Sequence, residues 1–332
     1  MTPLRRAMAV VAAVAAGVAC ACGWLLAAPG ASYQGPLPEL TMEDTALRDR
    51  LHAHVAALSS RIGERNARRY ASLEQARRYI EEQFAAAGYQ PRLRSYEHDG
   101  QAFHNVEAVL AGEASAAAIV VGAHYDSVTG SPGANDNATG VAVMLELARA
   151  LAKRTPRRPV HFVAFPNEEP PYFNMGRGMG SAEYVNTFSD PRAQLHAMMS
   201  IETVGYYSEE PGSQRYPAAL APLYPDRGNF IGFVGNPPSR DLVQQVVARF
   251  REVARLPSEV AVLPASVPGV DWSDHRSFWE RGVQALMITD TATFRDPHYH
   301  RSSDTAERLD YHRMTLLTRG LEHVLTGLAE IE

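Results

Sequence analysis

The chain has 332 residues, room for one large α/β domain or two small ones. Its hydrophobic fraction of 45%, charged fraction of 21% and net charge of −5 are ordinary for a globular protein, and no basic stripe with interleaved aromatics argues for nucleic acid. Both cysteines, Cys20 and Cys22, lie near the amino terminus, so the body has no disulfide, no thiol nucleophile and no thiolate ligand, and any metal there must be held by His, Asp and Glu.

Arg5 and Arg6 precede Ala7 to Ala28, an uncharged run of 22 residues. As a helix it would be about 33 Å long, enough to cross a bilayer core. It is longer than the apolar core of most cleaved signal peptides, and Ala28-Pro-Gly-Ala31 offers no clean cleavage site. Residues 1–30 therefore read as a membrane anchor in preference to a signal peptide. Either way the arginines stay cytoplasmic and the body is exported, anchored if the segment is uncleaved and secreted if it is removed. Residues 31–42 form a Pro/Gly-containing linker, and 43–332 a single catalytic domain.

From Glu43 to about Ser60, Leu47, Leu51, Val55 and Leu58 recur with helical spacing. A second helix spans about Leu73 to Ala87, with Ile80 and Phe84 on one face and Gly88 as its stop. Pro91–Tyr96 and Asn105–Leu110 read as strands, and Ala117–Val121 as a buried strand rich in β-branched residues. That strand leads into Gly122-Ala-His-Tyr-Asp-Ser127 and Gly133-Ala-Asn-Asp-Asn-Ala-Thr-Gly140, a loop followed by a helix over Val141–Leu151. His124 and Asp136 offer an imidazole nitrogen and a carboxylate, donors suited to Zn2+. Asp126, two residues beyond His124, is near enough to orient its imidazole.

Val160–Phe165 is a further buried strand, ending at Pro166-Asn-Glu-Glu-Pro-Pro171, and Leu195–Ile201 another, ending at Glu202-Thr-Val-Gly205. Tyr206 to Asp226 is rich in Pro, Tyr and Gly and lacks periodicity, which predicts a functional rim or lid. A strand over Phe230–Val234 and a helix over Ser239–Ala254, with Leu242, Val246 and Phe250 on one face, follow. A late strand, Ala285–Thr289, leads to the loop holding His298 and His300, and a helix from about Asp310 to Ala329 closes the chain. This alternation predicts an α/β fold, a mostly parallel central sheet with helices on both faces.

The strand ends then carry His124, Asp136, Glu168, Glu169, Glu202 and His300. Open α/β sheets bind ligands at the carboxyl ends of their strands. So many acids at one edge would repel each other unless a cation neutralised them. Lys153, the only lysine, sits among arginines and reads as a solvated helix end rather than a Schiff-base former. His52, His54, His98 and His312 read as surface residues, and His161 and His196 as packing histidines in strands.

Six pieces stand in sequence: His124-Tyr-Asp-Ser127, Gly133-Ala-Asn-Asp-Asn137, Asn167-Glu-Glu169, Ile201-Glu-Thr-Val-Gly205, Ser273-Asp-His275 and His300-Arg-Ser-Ser-Asp-Thr305. In their order and spacing, the chain from roughly residue 100 to 325 resembles the co-catalytic di-zinc aminopeptidases, which share a fold with glutaminyl cyclases and glutamate carboxypeptidases. The resemblance implies a zinc-exopeptidase-like fold, two Zn2+ ions and peptide substrates with a free amino terminus. It implies that Asp136 bridges the ions, that Glu169 and His300 complete one site, and that His124 and Glu202 complete the other. Glu168 would be the general base for the bridging water, and Tyr299 would help to stabilise the tetrahedral oxyanion. The family's His-x-x-x-Asp-Thr spacing selects His300 over His298, and Asp274-His275 is expected to support the pocket rather than bind metal.

The chain departs from the family pattern in two places. The family usually has Asp where this chain has Glu202, whose arm is longer by one carbon–carbon bond, so the second ion is expected to be held more weakly. Residues 170–181 are longer than the common turn and are expected to reshape the pocket rim. The runner-up activity is a glutaminyl-peptide cyclotransferase, with a single working zinc on the same scaffold. A third reading, a non-enzymatic ectodomain, normally loses ligands or the base, and here none is missing. No His-Glu-x-x-His helix and no Gly-x-Ser-x-Gly turn supports other hydrolase classes.

Overall fold

In the computed structural model, which describes residues 29–173 and 175–331, the apolar runs become the strands of one eight-stranded sheet. The hydrophobic run expected to anchor or export the chain lies outside the described residues. The strands are β1 (Arg92–His98), β2 (Gln101–Leu110), β3 (Ala118–His124), β4 (Val160–Phe165), β5 (Leu195–Glu202), β6 (Ile231–Gly235), β7 (Ser258–Val262) and β8 (Ala285–Thr289). Their order across the sheet is β1-β2-β4-β3-β5-β8-β6-β7.

The sheet is mixed where a mostly parallel one was expected. Its centre, β4-β3-β5-β8, runs parallel throughout, and at the edge β6 pairs in parallel with β7. Three of the seven pairings, β1 with β2, β2 with β4 and β6 with β8, are antiparallel. The connections explain this. Only Asp99 and Gly100, both at positive φ, join β1 to β2, and such a tight turn makes a hairpin. Between β5 and β6 the chain makes no helical crossover, so β6 re-enters from the edge where β5 ended and must run the other way. β7, a short edge strand, had no clear signal in the sequence.

Apart from the single turn Pro191–Gln194, the α-helices among the described residues are α1 (Met42–Ala56), α2 (Tyr70–Ala86), α3 (Gly140–Leu151), the short α4 (Gly180–Val185), α5 (Arg240–Val253), the short α6 (His275–Glu280) and α7 (Tyr311–Leu328). Thr41 caps α1 by accepting the Asp44 N–H on its hydroxyl, with Glu43 and Asp44 in the first turn facing the positive helix end. The long helices cover one face of the sheet. Their stripes, including Leu47, Leu51, Ile80, Phe84, Val246 and Phe250, bury in one continuous core. Each such fully buried side chain contributes about 1.5–3 kcal/mol. α3 is apolar nearly all round because it is sandwiched between the sheet and α1 and α7. The other face is different. There α4 and α6 cover the middle strands through Phe165, Tyr184 and Phe278. Loops lie over β6, β7 and the end of β8, while α6 also reaches the start of β8.

Candidate metal centre

Four neighbouring strands deliver polar groups to one edge of the sheet. His124 is the last residue of β3, Glu202 the last of β5, and Glu168 and Glu169 follow β4. Asp136 lies between β3 and α3, and His300 in the loop after β8. The backbone is strained where these groups are aimed. Asn167 (φ 62°), Thr203 (φ 43°) and His300 itself (φ 60°) occupy the left-handed region that side chains rarely tolerate. Gly133, at φ 62°, admits no other residue, since a Cβ there would come within 2.5 Å of both Asp136 O and Ser127 Cβ.

The result is a pair of clusters sharing one aspartate. His124, Asp136 and Glu202 form the first, Asp136, Glu169 and His300 the second, with the donor atoms of each within 4.8 Å of one another. Asp136 Oδ1 lies 3.2 Å from His124 Nε2, and its Oδ2 lies 3.0 Å from His300 Nε2. Glu202 Oε2 is 3.2 Å from His124 Nε2, and Glu169 Oε2 is 3.2 Å from His300 Nε2. Glu168 Oε2 stands 4.0 Å from His124 Nε2 and belongs to neither cluster. The buried His124 Nε2 and Asp136 Oδ2 make no hydrogen bond, which buried polar atoms rarely forgo. An imidazole-and-carboxylate donor set with such unclaimed atoms fits Zn2+.

The electrostatics agree with this. Burial, with Asp136 alongside, raises the Glu169 carboxyl to about 8. Burial also raises Glu202, with Asp136 adding to it and His124 opposing. Glu168 is pushed well above its ordinary value by burial and by the charges of Glu202 and Glu169. Burial would lower the two histidines, but the surrounding acids prevail. His124 is raised well above 6.5 by Glu202 and Glu168, and His300 rises to about 10 through Asp136 and Glu169. Acids this crowded and this dry favour divalent cations, which stabilise every one of them in the charged form.

A second tier of residues holds the donors. Asp126 accepts the Glu168 and Glu169 backbone N–H groups, each at 3.1 Å, and lies 3.4 Å from His124 Nδ1. Glu169 Oε1 accepts the Val128 N–H at 3.0 Å, and the Ser273 hydroxyl donates to Glu202 Oε2 at 2.8 Å. Asp304 accepts the N–H groups of Asn135 and Asp136 at 2.7 and 3.2 Å. Arg65, fully buried, donates to the carbonyls of Tyr125, Leu58, Gly63, Pro132 and Gly133, tying down both ends of the loop between His124 and Asp136. Sequence reasoning missed Arg65, because an arginine in the polar run Gly63-Glu-Arg-Asn66 looks like any surface residue.

The remaining candidates separate cleanly. The Tyr299 ring stacks on His300 with centroids 3.8 Å apart, and burial plus the nearby acids raise its hydroxyl well above 10. His298 stays outside both clusters and bonds to Ser303 Oγ at 2.9 Å. His275 is buried, with Nε2 on the Val270 carbonyl, and Asp274 beside it is buried and raised to about 7. His54, expected at the surface, is instead buried between Tyr79 and Glu146 because α1 packs on α3 and the His54 ring meets the Tyr79 hydroxyl of α2. An apolar cavity opens beside the clusters, touching Glu202 and Tyr299. The irregular stretch after Tyr206 supplies part of its wall through Tyr216, Leu220 and Tyr224. The long turn after Glu169 packs elsewhere, with Tyr172 against His98 and Phe103.

The family model for peptidase family M28 matches residues 105–324, which contain every donor of both clusters. The protein YfbL of Escherichia coli (strain K12) is 38% identical over 282 residues, 82% of this chain and 86% of that one. Among solved structures, a zinc aminopeptidase from Bacillus subtilis, BSAP, superposes with a TM-score of 0.68 at 14% identity, over 89% of this chain and 96% of its own. A glutaminyl cyclase from Tannerella forsythia superposes with a TM-score of 0.60 at 17% identity, over 83% of this chain and 97% of its own. At such identities the two structures establish a common fold only.

Proposed function

We propose that this chain, which belongs to peptidase family M28, is a zinc-dependent aminopeptidase that hydrolyses the amino-terminal residue from peptides. One observation carries the reading. Asp136 turns one carboxylate oxygen to each of two three-donor clusters, and the Glu168 carboxylate, a member of neither, stands 4.0 Å from His124 of the first. His124, Asp136 and Glu202 would hold one zinc ion and Asp136, Glu169 and His300 the other, and the pair when bound supplies Lewis acidity towards a water and the scissile carbonyl.

The chain's own groups do the rest. Glu168 takes the proton of the attacking water and passes it to the leaving amine. Asp126 holds the backbone of Glu168 and Glu169 together, so the base and the adjacent ligand keep a set spacing. Tyr299, whose hydroxyl keeps its proton, donates to the developing oxyanion. Ser273 steadies the long arm of Glu202. We also place the catalytic body outside the cytoplasm, because Arg5 and Arg6 precede a run long enough to cross a bilayer.

The test sets aminoacyl-nitroanilide hydrolysis beside glutaminyl-peptide cyclisation, with zinc counted after mild dialysis. Hydrolysis with between one and two zinc ions per chain is expected, the second the weaker because of Glu202. Cyclisation without hydrolysis, with one zinc that excess metal does not increase, would establish the cyclotransferase instead.

A further inference from the structure

Beyond α6, the loop-covered face of the sheet at the end of β8 and at β6 and β7 floors the apolar cavity beside the metal centre. Strand register shapes that floor. Glu202 pairs with Thr289, Thr289 with Gly232, and Gly232 with Glu259. The four therefore form one row across β5, β8, β6 and β7, with their side chains on the same face. Three strand spacings of about 4.8 Å separate the first backbone from the last, roughly 14 Å in all. The middle of the row is low: Thr289 is short and Gly232 has no side chain, and a Cβ there would come within 3.2 Å of the Thr289 carbonyl oxygen. The floor is thus a trough with a carboxylate at each end.

Glu202 at the near end belongs to the metal cluster. Glu259 at the far end lines the same cavity, and among the described residues nothing hydrogen-bonds its carboxylate. Arg251 acts on it only through its field, since that guanidinium is spent on the hydroxyl and carbonyl of Ser258. Burial raises the Glu259 carboxyl above its ordinary value, the condition of an acid awaiting a cation. Two stacked aromatic pairs line the cavity as well, Tyr216 on Tyr224 with centroids 5.5 Å apart and Trp272 on Phe294 at 6.2 Å. Aromatic faces beside a carboxylate attract cations and accept alkyl stems. Arg215 also lines the cavity, but it is exposed and donates to the Thr293 carbonyl.

We propose that this trough receives the side chain of the substrate's amino-terminal residue and that Glu259 makes it selective for arginine and lysine. The inference rests on the aminopeptidase reading above. A long basic side chain lies over Gly232 with its stem against the aromatic walls and its cation on Glu259. Leucine or phenylalanine would fill the apolar part while drying Glu259 with no partner for it, an unfavourable exchange.

The test assays the zinc-loaded full chain on nitroanilides of arginine, lysine, norleucine, leucine and phenylalanine. Norleucine has the lysine stem without its ammonium group. The expected kcat/KM for arginine or lysine exceeds that for norleucine at least about tenfold, and Glu259→Gln shrinks this ratio at least about tenfold. Glu252→Gln, at an exposed site on α5, leaves the ratio unchanged. The wild-type ratio decides the matter even if the Glu259 variant does not fold. Faster cleavage of norleucine, leucine or phenylalanine by the wild type, or an unchanged ratio in Glu259→Gln, overturns the selectivity while leaving the aminopeptidase reading intact. Hydrolysis of none of the five overturns both.

Discussion

Glu168 and Glu169 are adjacent in the chain, share the Asp126 carboxylate through their backbone N–H groups, and face different ways. Glu169 has one oxygen occupied by Val128 N–H and the other directed at His300, which suits a fixed ligand. Among the described residues the Glu168 carboxylate accepts no such bond, and it stands beside His124, which suits a group that must gain and lose a proton. Glu168→Gln keeps shape and hydrogen bonding but cannot take a proton. It should lower kcat by at least about 100-fold while zinc content stays near wild type. Glu169→Gln should lose metal together with activity. Hydrolysis by Glu168→Gln at near wild-type rate would sink the assigned mechanism.

At the scale of elements, the polar interior of the sheet carries a pH-dependent load. Glu107 on β2 is completely buried. It accepts hydrogen bonds from Tyr184 on α4 at 2.8 Å and Arg94 on β1 at 2.9 Å, and lies 3.1 Å from His161 Nδ1 on β4. Burial alone would raise its pKa, but the bonds from His161 and Tyr184 and the charges of His161 and Arg94 outweigh burial and bring it down to about 2. A carboxyl depressed below its ordinary 4.5 stabilises the fold above that pH, and the contribution fades as the pH falls towards 2. Glu107→Gln should therefore destabilise the protein by about 1–3 kcal/mol at pH 7, and the gap from wild type should narrow below about pH 4. Urea midpoints at several pH values measure it. A gap of constant size from pH 7 to pH 2.5 would remove Glu107 from this role.

At the scale of the whole molecule, the chain enters the body close to its catalytic edge. The Pro29 and Gly30 carbonyls accept from Arg251 at 3.2 and 3.1 Å, and Ser32 Oγ accepts the Ser258 N–H at 2.9 Å. Ser258 begins β7, the strand of Glu259, so residues just after the apolar run are fastened beside the trough. No helix among the described residues is long and apolar enough to cross a membrane. A fusion of residues 1–35 to a reporter should carry it out of the cytoplasm. The native protein should stay with membranes in high salt and keep its amino terminus. A soluble, shortened form would overturn the anchor in favour of a cleaved signal peptide, and a reporter retained inside would overturn export.

Much of the site was legible in the sequence because its donors follow local signals. His124, Glu168, Glu169 and Glu202 each close or follow a short apolar strand, and a strand is announced by the burial of its own segment. The long helices were legible for the same reason, since the spacing of Leu47, Leu51 and Val55 or of Ile80 and Phe84 needs no knowledge of what lies opposite. Pairing and register are different, because they depend on contacts between segments far apart in the chain. Only the tertiary structure reversed β6, buried Arg65 among carbonyls of the loop between β3 and α3 and of its own preceding segment, and drew His54 inward to Glu146. It alone placed Glu259 in one row with Glu202, across two strands whose intervening residues leave the floor open. Periodicity reports which side of a segment is buried, and the field, space and partners at a site are set by whatever the fold brings against it.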